Sequence, residues 1–145
     1  METKIVLKNV NFFYNDKQVI RDLNLDIPAN EITAIFGPAN SGISTLLRSL
    51  NRLCDLIPGA RMEGEILIDG KNIYNEDVSV TELRRKVGMV FEIPAPLPIS
   101  IFDNISFGPR LIGGKSKKEL TEIVEKSLQK AALWGKSKTG FQFRE

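Results

Sequence analysis

Histidine does not occur among the 145 residues. Its absence excludes histidine metal ligands and any mechanism that relies on an imidazole base. Cysteine occurs once, as Cys54, so no intrachain disulfide can form and a reducing compartment is expected. No apolar run approaches the roughly 20 residues of a membrane-spanning helix, and Met1-Glu2-Thr3-Lys4 does not open a signal peptide. The expectation is a cytoplasmic chain without direct membrane insertion. Neither sign of charge dominates: 20 Lys and Arg against 18 Asp and Glu leave +2. The longest basic block, Arg84-Arg85-Lys86, reads as a solvated helix end. Nothing in this balance argues for nucleic acid. Internal repeats and low-complexity tracts are also missing.

What remains is a globular composition, 42% apolar and 26% charged, on a chain long enough for one domain with a core. Residues 4–10 are rich in β-branched and apolar side chains and predict a strand. Leu23, Leu25 and Ile27 alternate with Asp22, Asn24 and Asp26, the period of two of a half-buried strand. Residues 31–36 and 87–91 are short apolar runs and predict fully buried strands. Residues 65–68 predict another strand, ended by Asp69-Gly70. Leu46, Leu47, Leu50 and Leu53 predict a helix over 44–53. Ser79 with Glu82 and Ser116 with Glu119 have the spacing of capping boxes. The second opens an amphipathic helix with Leu120, Ile123, Val124, Leu128, Ala131 and Ala132 on one face. Between the two helices, Pro94, Pro96 and Pro98 forbid regular structure locally. Residues 135–145 show no period.

The chemistry concentrates at Gly37-Pro38-Ala39-Asn40-Ser41-Gly42-Ile43-Ser44-Thr45. A phosphate-binding loop reads G-x-x-x-x-G-K-[ST] between a strand and a helix. Gly37 and Gly42 have that spacing, and Ser44 falls where a hydroxyl meets Mg²⁺. Glycines let the backbone wrap phosphates, and the helix N-terminus offers free N–H groups. Asn40 tolerates unusual backbone angles. The lysine position holds Ile43, which cannot donate a hydrogen bond. Losing one charge-assisted contact costs about 1.5–3 kcal/mol, and phosphoryl transfer would suffer further because it relies on that charge. Taken alone, the segment is equally readable as an ordinary strand-to-helix turn.

The order of features resembles the ATP-binding subunits of ABC transporters, in particular the branch serving bacterial inorganic phosphate importers. The resemblance covers residues 4–134. It is carried by Asn24-Leu25-Asp26-Ile27-Pro28, Leu46-Leu47-Arg48-Ser49-Leu50-Asn51-Arg52, Glu63-Gly64-Glu65-Ile66-Leu67-Ile68-Asp69-Gly70, Leu83-Arg84-Arg85-Lys86-Val87-Gly88-Met89-Val90-Phe91, and the run from Pro94 to Asn104. It implies an α/β fold, a P-loop NTPase-like ABC nucleotide-binding domain. Its N-terminal part would comprise an antiparallel β subdomain, an incomplete core sheet and the start of a helical subdomain.

The resemblance further implies ATP and Mg²⁺ as ligands, with permease subunits and a second ATP-binding subunit as partners, at the inner face of the cell membrane. By position, Tyr14 would stack on adenine; packing against Phe12 and Phe13 is the other reading of that residue. Glu92 takes the place of the glutamine that touches metal and attacking water, and can equally be a solvated carboxylate. Residues 94–107 would face the permease. The family also uses a Ser/Gly signature segment, a strand ending in Asp-Glu and a switch histidine, none of which occurs in this sequence. No catalytic residue is therefore expected to be intact, and ATP binding is expected to be weakened.

Two units are expected, a partial ABC domain over 1–134 and an irregular tail over 135–145. A shifted reading of codons for Glu-Val-Lys-Asp-Arg-Leu spells the tail's Lys-Ser-Lys-Thr-Gly-Phe, so a frameshift near Trp134 is one expected origin of the ending. A non-hydrolytic nucleotide- or permease-binding module and a decayed product without function are the competing expectations.

Overall fold

The computed structural model describes residues 2–137. The chain forms two compact units, one running to Val90 and the other starting at Phe91.

The first unit is built on four antiparallel strands in the order β2-β1-β3-β4. They are β1 (Thr3–Tyr14), β2 (Lys17–Pro28), β3 (Ala60–Ile68) and β4 (Lys71–Asn72). β1 and β2 form a hairpin around Asn15 and Asp16, with Tyr14 paired to Lys17. Asn15 takes φ +50°, and its N–H bonds to the Gly59 carbonyl at 2.8 Å, tying the turn to the entry of β3. Both strands run longer than their side-chain alternation predicts, because bulges interrupt it. Leu7 pairs with Leu25 but Val10 with Leu23, so β1 carries one extra residue there. Leu7 and Val10 consequently both face the core although they lie three apart.

Side-chain amides replace ladder bonds at these bulges. Asn24 Oδ1 accepts from the Asn9 N–H at 2.9 Å, and Asn11 Oδ1 accepts from the Asp22 N–H at 2.9 Å. Across from the β1 bulge, Gly64 has φ +92°. A Cβ there would lie 2.4 Å from the Asn9 carbonyl oxygen.

Two short helices cover the sheet's apolar face: α1 (Ile43–Ser49) and α2 (Val80–Lys86). Leu46 and Leu50 around α1 and Leu83 of α2 join Leu7, Val10, Phe12, Ile20, Ile66, Ile68, Ile73 and Cys54 in one core. Full burial of a leucine contributes about 1.5–3 kcal/mol. α1 stops short of Leu53, where Arg52 at φ +57° diverts the chain into a single 3-10 turn, Leu53–Leu56. Ser79 caps α2 by accepting from the Glu82 N–H. Arg84 is more than a solvated helix end: its guanidinium donates to the Asn51 and Arg52 carbonyls at 3.2 and 2.8 Å, whereas Arg85 and Lys86 are exposed.

Two expected strands do not form. Residues 31–36 and 87–91 have no regular structure. Ile35 and Val87 pack on the core, but Ile32, Phe36 and Val90 are 101%, 90% and 96% exposed. A strand exists only by pairing, and the four-stranded ladder leaves no partner for these segments among the described residues.

The second unit contains α3 (Ile101–Ile112), α4 (Lys117–Lys130) and a single turn, α5 (Trp134–Ser137). The proline cluster is irregular, as predicted, but α3 follows at once and was not legible. Its Ser100 cap accepts from the Asp103 N–H at 3.0 Å, while Gly108 and Pro109 inside it mask the helical pattern. α4 carries the full capping box of Ser116 and Glu119. It buries Leu120, Val124 and Leu128 against Phe102, Ile105 and Trp134. Ala131 and Ala132 fall outside this face, because the helix ends at Lys130 and Ala132 turns to φ +56°. The tail expected to be irregular begins with the α5 turn; residues 138–145 lie outside the described residues.

Candidate functional site

Residues 37–45 bend sharply between the core-packed Ile35 and α1. A hydrogen bond from the Ser41 N–H to the Pro38 carbonyl, 3.2 Å, closes a turn in which Asn40 adopts φ +64°. That is the left-handed geometry the sequence reading allowed for asparagine. Gly42 caps α1 at φ +88°, and a Cβ on it would meet the Val19 carbonyl oxygen at 3.0 Å. Leu46 makes the first helical bond back to Gly42, so the N–H groups of Ile43, Ser44 and Thr45 precede the helical ladder. Gly42 has no side chain to cap them.

Gly37 is constrained from inside the loop. A Cβ on it would lie 2.6 Å from Ser41 Oγ and 3.1 Å from Ile43 Cδ1. Ile43 therefore curls into the loop as a half-buried side chain, while Ser44 remains exposed.

Tyr14 and this loop line one cleft of about 430 Å³, together with Lys17 and Val19. The Tyr14 hydroxyl lies 3.3 Å from Thr45 Oγ1 and 3.8 Å from Cys54 Sγ. Its ring tilts against Phe12 with centroids 5.3 Å apart. Of the packing expected for Tyr14, the contact with Phe12 forms; the ring also walls the cleft. Phe13 instead lies under the Arg61 guanidinium, 4.0 Å away. Burial raises the Tyr14 pKa, opposed by the Thr45 bond and reinforced by Cys54. Burial raises the Cys54 thiol as well, which keeps it protonated and unreactive at neutral pH.

The loop residues from Gly37 to Thr45 and Tyr14 come together; Glu92 belongs to the second unit, where it is exposed. Among the described residues no group of three or more Asp, Glu or Cys side chains could hold a metal ion.

Lys17 and Val19 were not singled out from sequence. The signal lay in the hairpin: pairing across Asn15-Asp16 sets Lys17 beside Tyr14. Asn104 was also missed. Its amide donates to the carbonyls of Leu97, Ile99 and Ser100 at 3.0–3.1 Å and its oxygen accepts from the Leu97 N–H at 2.8 Å. It thereby holds the end of the proline-rich segment on α3.

A glycine-bent loop opening a helix, walled by a tyrosine at the end of an antiparallel hairpin, defines the class: part of an ABC nucleotide-binding domain. The family model described as ABC transporter matches residues 20–143, and the chain belongs to this family. More particularly, it is similar to the phosphate import ATP-binding protein PstB. It is 50% identical over 137 residues to the proteins of Borreliella afzelii and Borreliella burgdorferi, and 49% identical to that of Borrelia garinii subsp. bavariensis. Each match covers 94% of this chain and 53% of the relative, so the chain spans about half the length of the curated relatives it matches. Among solved structures, a bacterial Atm1-family ABC exporter with ATP bound matches with a TM-score of 0.75 at 29% identity. That match covers 98% of this chain and 23% of the exporter chain. No helix among the described residues is long and apolar enough to cross a membrane.

Proposed function

We propose that this chain is an ATP-binding component of an ABC-type inorganic phosphate importer, and that it holds nucleotide without hydrolysing it. The observation that carries the reading is the single cleft in which Tyr14 faces the loop Gly37–Thr45. Adenine lies on the Tyr14 ring, since aromatic faces hold bases without regard to sequence. The phosphates lie at the N–H groups of Ile43, Ser44 and Thr45, favoured by the start of α1. Ser44 contributes one ligand to the Mg²⁺ that accompanies them. The relatives' name, phosphate import ATP-binding protein, supports both nucleotide and solute.

Turnover is absent for reasons written in residues that are present. Ile43 puts an apolar branch where the loop needs a cation, and transition-state stabilisation in phosphoryl transfer depends on such charge. Glu92, in place of the family's glutamine, adds negative charge instead. Docking on a permease at the inner face of the membrane, beside a second ATP-binding subunit, completes the reading. It is supported by the exposed Leu97, Ile99, Ile101 and Phe107 within the stretch expected to face the permease.

The test is a nucleotide titration with phosphate-release measurement on the chain and on Ile43→Lys. Measurable ATP binding without phosphate release is expected, with affinity raised roughly tenfold or more in Ile43→Lys. An Ile43→Lys chain that binds no better would show that the loop does not cradle phosphates.

A further inference from the structure

Lys17 is the only charged side chain among the described residues that line the cleft. It opens β2 and pairs directly with Tyr14. Opposed residues of an antiparallel pair project from the same face, with Cβ atoms about 4.5–5.5 Å apart. The ring that walls the cleft and the lysine beside it therefore point the same way. The side chain is exposed, and no ion pair or hydrogen bond among the described residues holds its ammonium elsewhere. Two other exposed lysines of the same unit are engaged, Lys4 with Asp69 at 2.6 Å and Lys71 with Asp77 at 2.8 Å.

Position 43 presents the complementary fact. Ile43 turns its Cδ1 toward Gly37 and offers the loop no charge. A polyanion entering this cleft would find backbone N–H groups and hydroxyls but only one cation, and that cation is on the hairpin. An ammonium on a flexible four-carbon stem is a point charge that needs no fixed approach angle. It can reach phosphate oxygens from a wall of the cleft as well as from its floor.

We propose that Lys17 supplies the cleft with a cation at a different place from the missing loop lysine, binding the phosphates of a nucleoside di- or triphosphate from the tyrosine side. The assignment rests on the nucleotide reading above. Because Lys17 stands beside the residue that stacks the base, its charge meets the phosphates nearest the ribose. ADP and ATP then benefit alike, and adenosine not at all.

The experiment is titration of the chain, Lys17→Met and Lys17→Arg with adenosine, ADP and ATP at low and moderate salt. Lys17→Met is expected to weaken ADP and ATP about five- to tenfold. Adenosine affinity is expected to stay unchanged, and the salt dependence to flatten. Lys17→Arg should retain ADP and ATP binding. Circular dichroism of the variants checks the fold, which an exposed hairpin residue is expected to leave intact. If Lys17→Met binds ADP and ATP as the parent does, the proposal fails and the nucleotide reading stands. If adenosine weakens as much as ADP, Lys17 supports the ring rather than the phosphates, and the proposal fails again. If the parent chain binds neither ADP nor ATP, both readings fall together.

Discussion

The phenolic oxygen of Tyr14 lies 3.3 Å from Oγ1 of Thr45, a residue 31 positions later. One belongs to the end of β1, the other to the first turn of α1. This bond fixes the spacing between the two walls of the cleft. Tyr14→Phe removes it but keeps the ring. The expected cost is about 1 kcal/mol in urea unfolding, with ATP affinity held within about twofold because the ring proposed to stack on adenine is kept. Tyr14→Ala should lose both stability and affinity. A phenylalanine variant that binds as poorly as the alanine one would remove the stacking role.

Gly64 tests the bulge. At φ +92° an added Cβ would sit 2.4 and 2.6 Å from two backbone oxygens, those of Asn9 and Lys8. Gly70, at φ +76°, has nothing within 4 Å of such a Cβ. Gly70→Ala should therefore show only left-handed strain, about 1–2 kcal/mol. Gly64→Ala should exceed it by at least about 1 kcal/mol in thermal or urea unfolding, since neither backbone can yield cheaply. Equal losses at the two sites would mean that the close approach to Asn9 does not hold in solution.

Acid should loosen the helical unit. Hydrogen bonds from the Ser116 side chain and backbone hold the Glu119 carboxyl below its usual range. The Ser100 hydroxyl does the same for Asp103, with Arg110 assisting. A carboxyl depressed in the folded state stabilises fully above its unfolded pKa and ceases to do so as pH falls through the folded value. The loss therefore begins below about pH 4.5. Helical ellipticity followed from pH 7 to 2 should show this step, and Glu119→Gln, which keeps a capping side chain without a titrating group, should shrink it. An unchanged profile in Glu119→Gln would count against the capping box as its source.

Alkali acts on the first unit. Burial, with Asp55 and Cys54 adding to it, pushes the Tyr74 phenol well above its ordinary value; its hydroxyl donates to the Ser49 carbonyl at 3.3 Å. A group raised in the folded state stabilises fully below its unfolded pKa, and that contribution is lost as pH rises through the folded one. Stability should fall above about pH 10. Phenolate absorbance near 295 nm should lag behind free tyrosine until the chain unfolds. Tyr74→Phe should remove part of the alkaline loss; if it leaves the loss intact, another group is responsible.

Much of the fold and of the loop is legible in the sequence. The alternation at Leu23, Leu25 and Ile27 and the capping residue Ser116 carry their structure locally, and both hold. The loop frame was legible because its glycines answer a local backbone demand, as did Asn40. Where sequence pattern and structure differ, the deciding partner is distant in the chain. Residues 31–36 and 87–91 have strand composition, but composition cannot supply a neighbouring strand. The strand pattern of β1 breaks off at Val10 because a bulge at Asn9 resets the side-chain period. α3 was hidden by Gly108 and Pro109, and Lys17 entered the cleft only once the hairpin had paired it with Tyr14.

Ile32, Phe36 and Val90, turned fully outward on unpaired backbone, have a consequence for the lifetime of the chain in a cell. Short apolar stretches with free donors and acceptors are what chaperones and proteases engage. The expected outcome is turnover in vivo that follows access to these two stretches rather than global unfolding of the four-stranded sheet. A pulse-chase comparison should find a longer half-life for Phe36→Ser combined with Val90→Ser, even if its melting temperature does not rise. An unchanged half-life would place the degradation signal elsewhere.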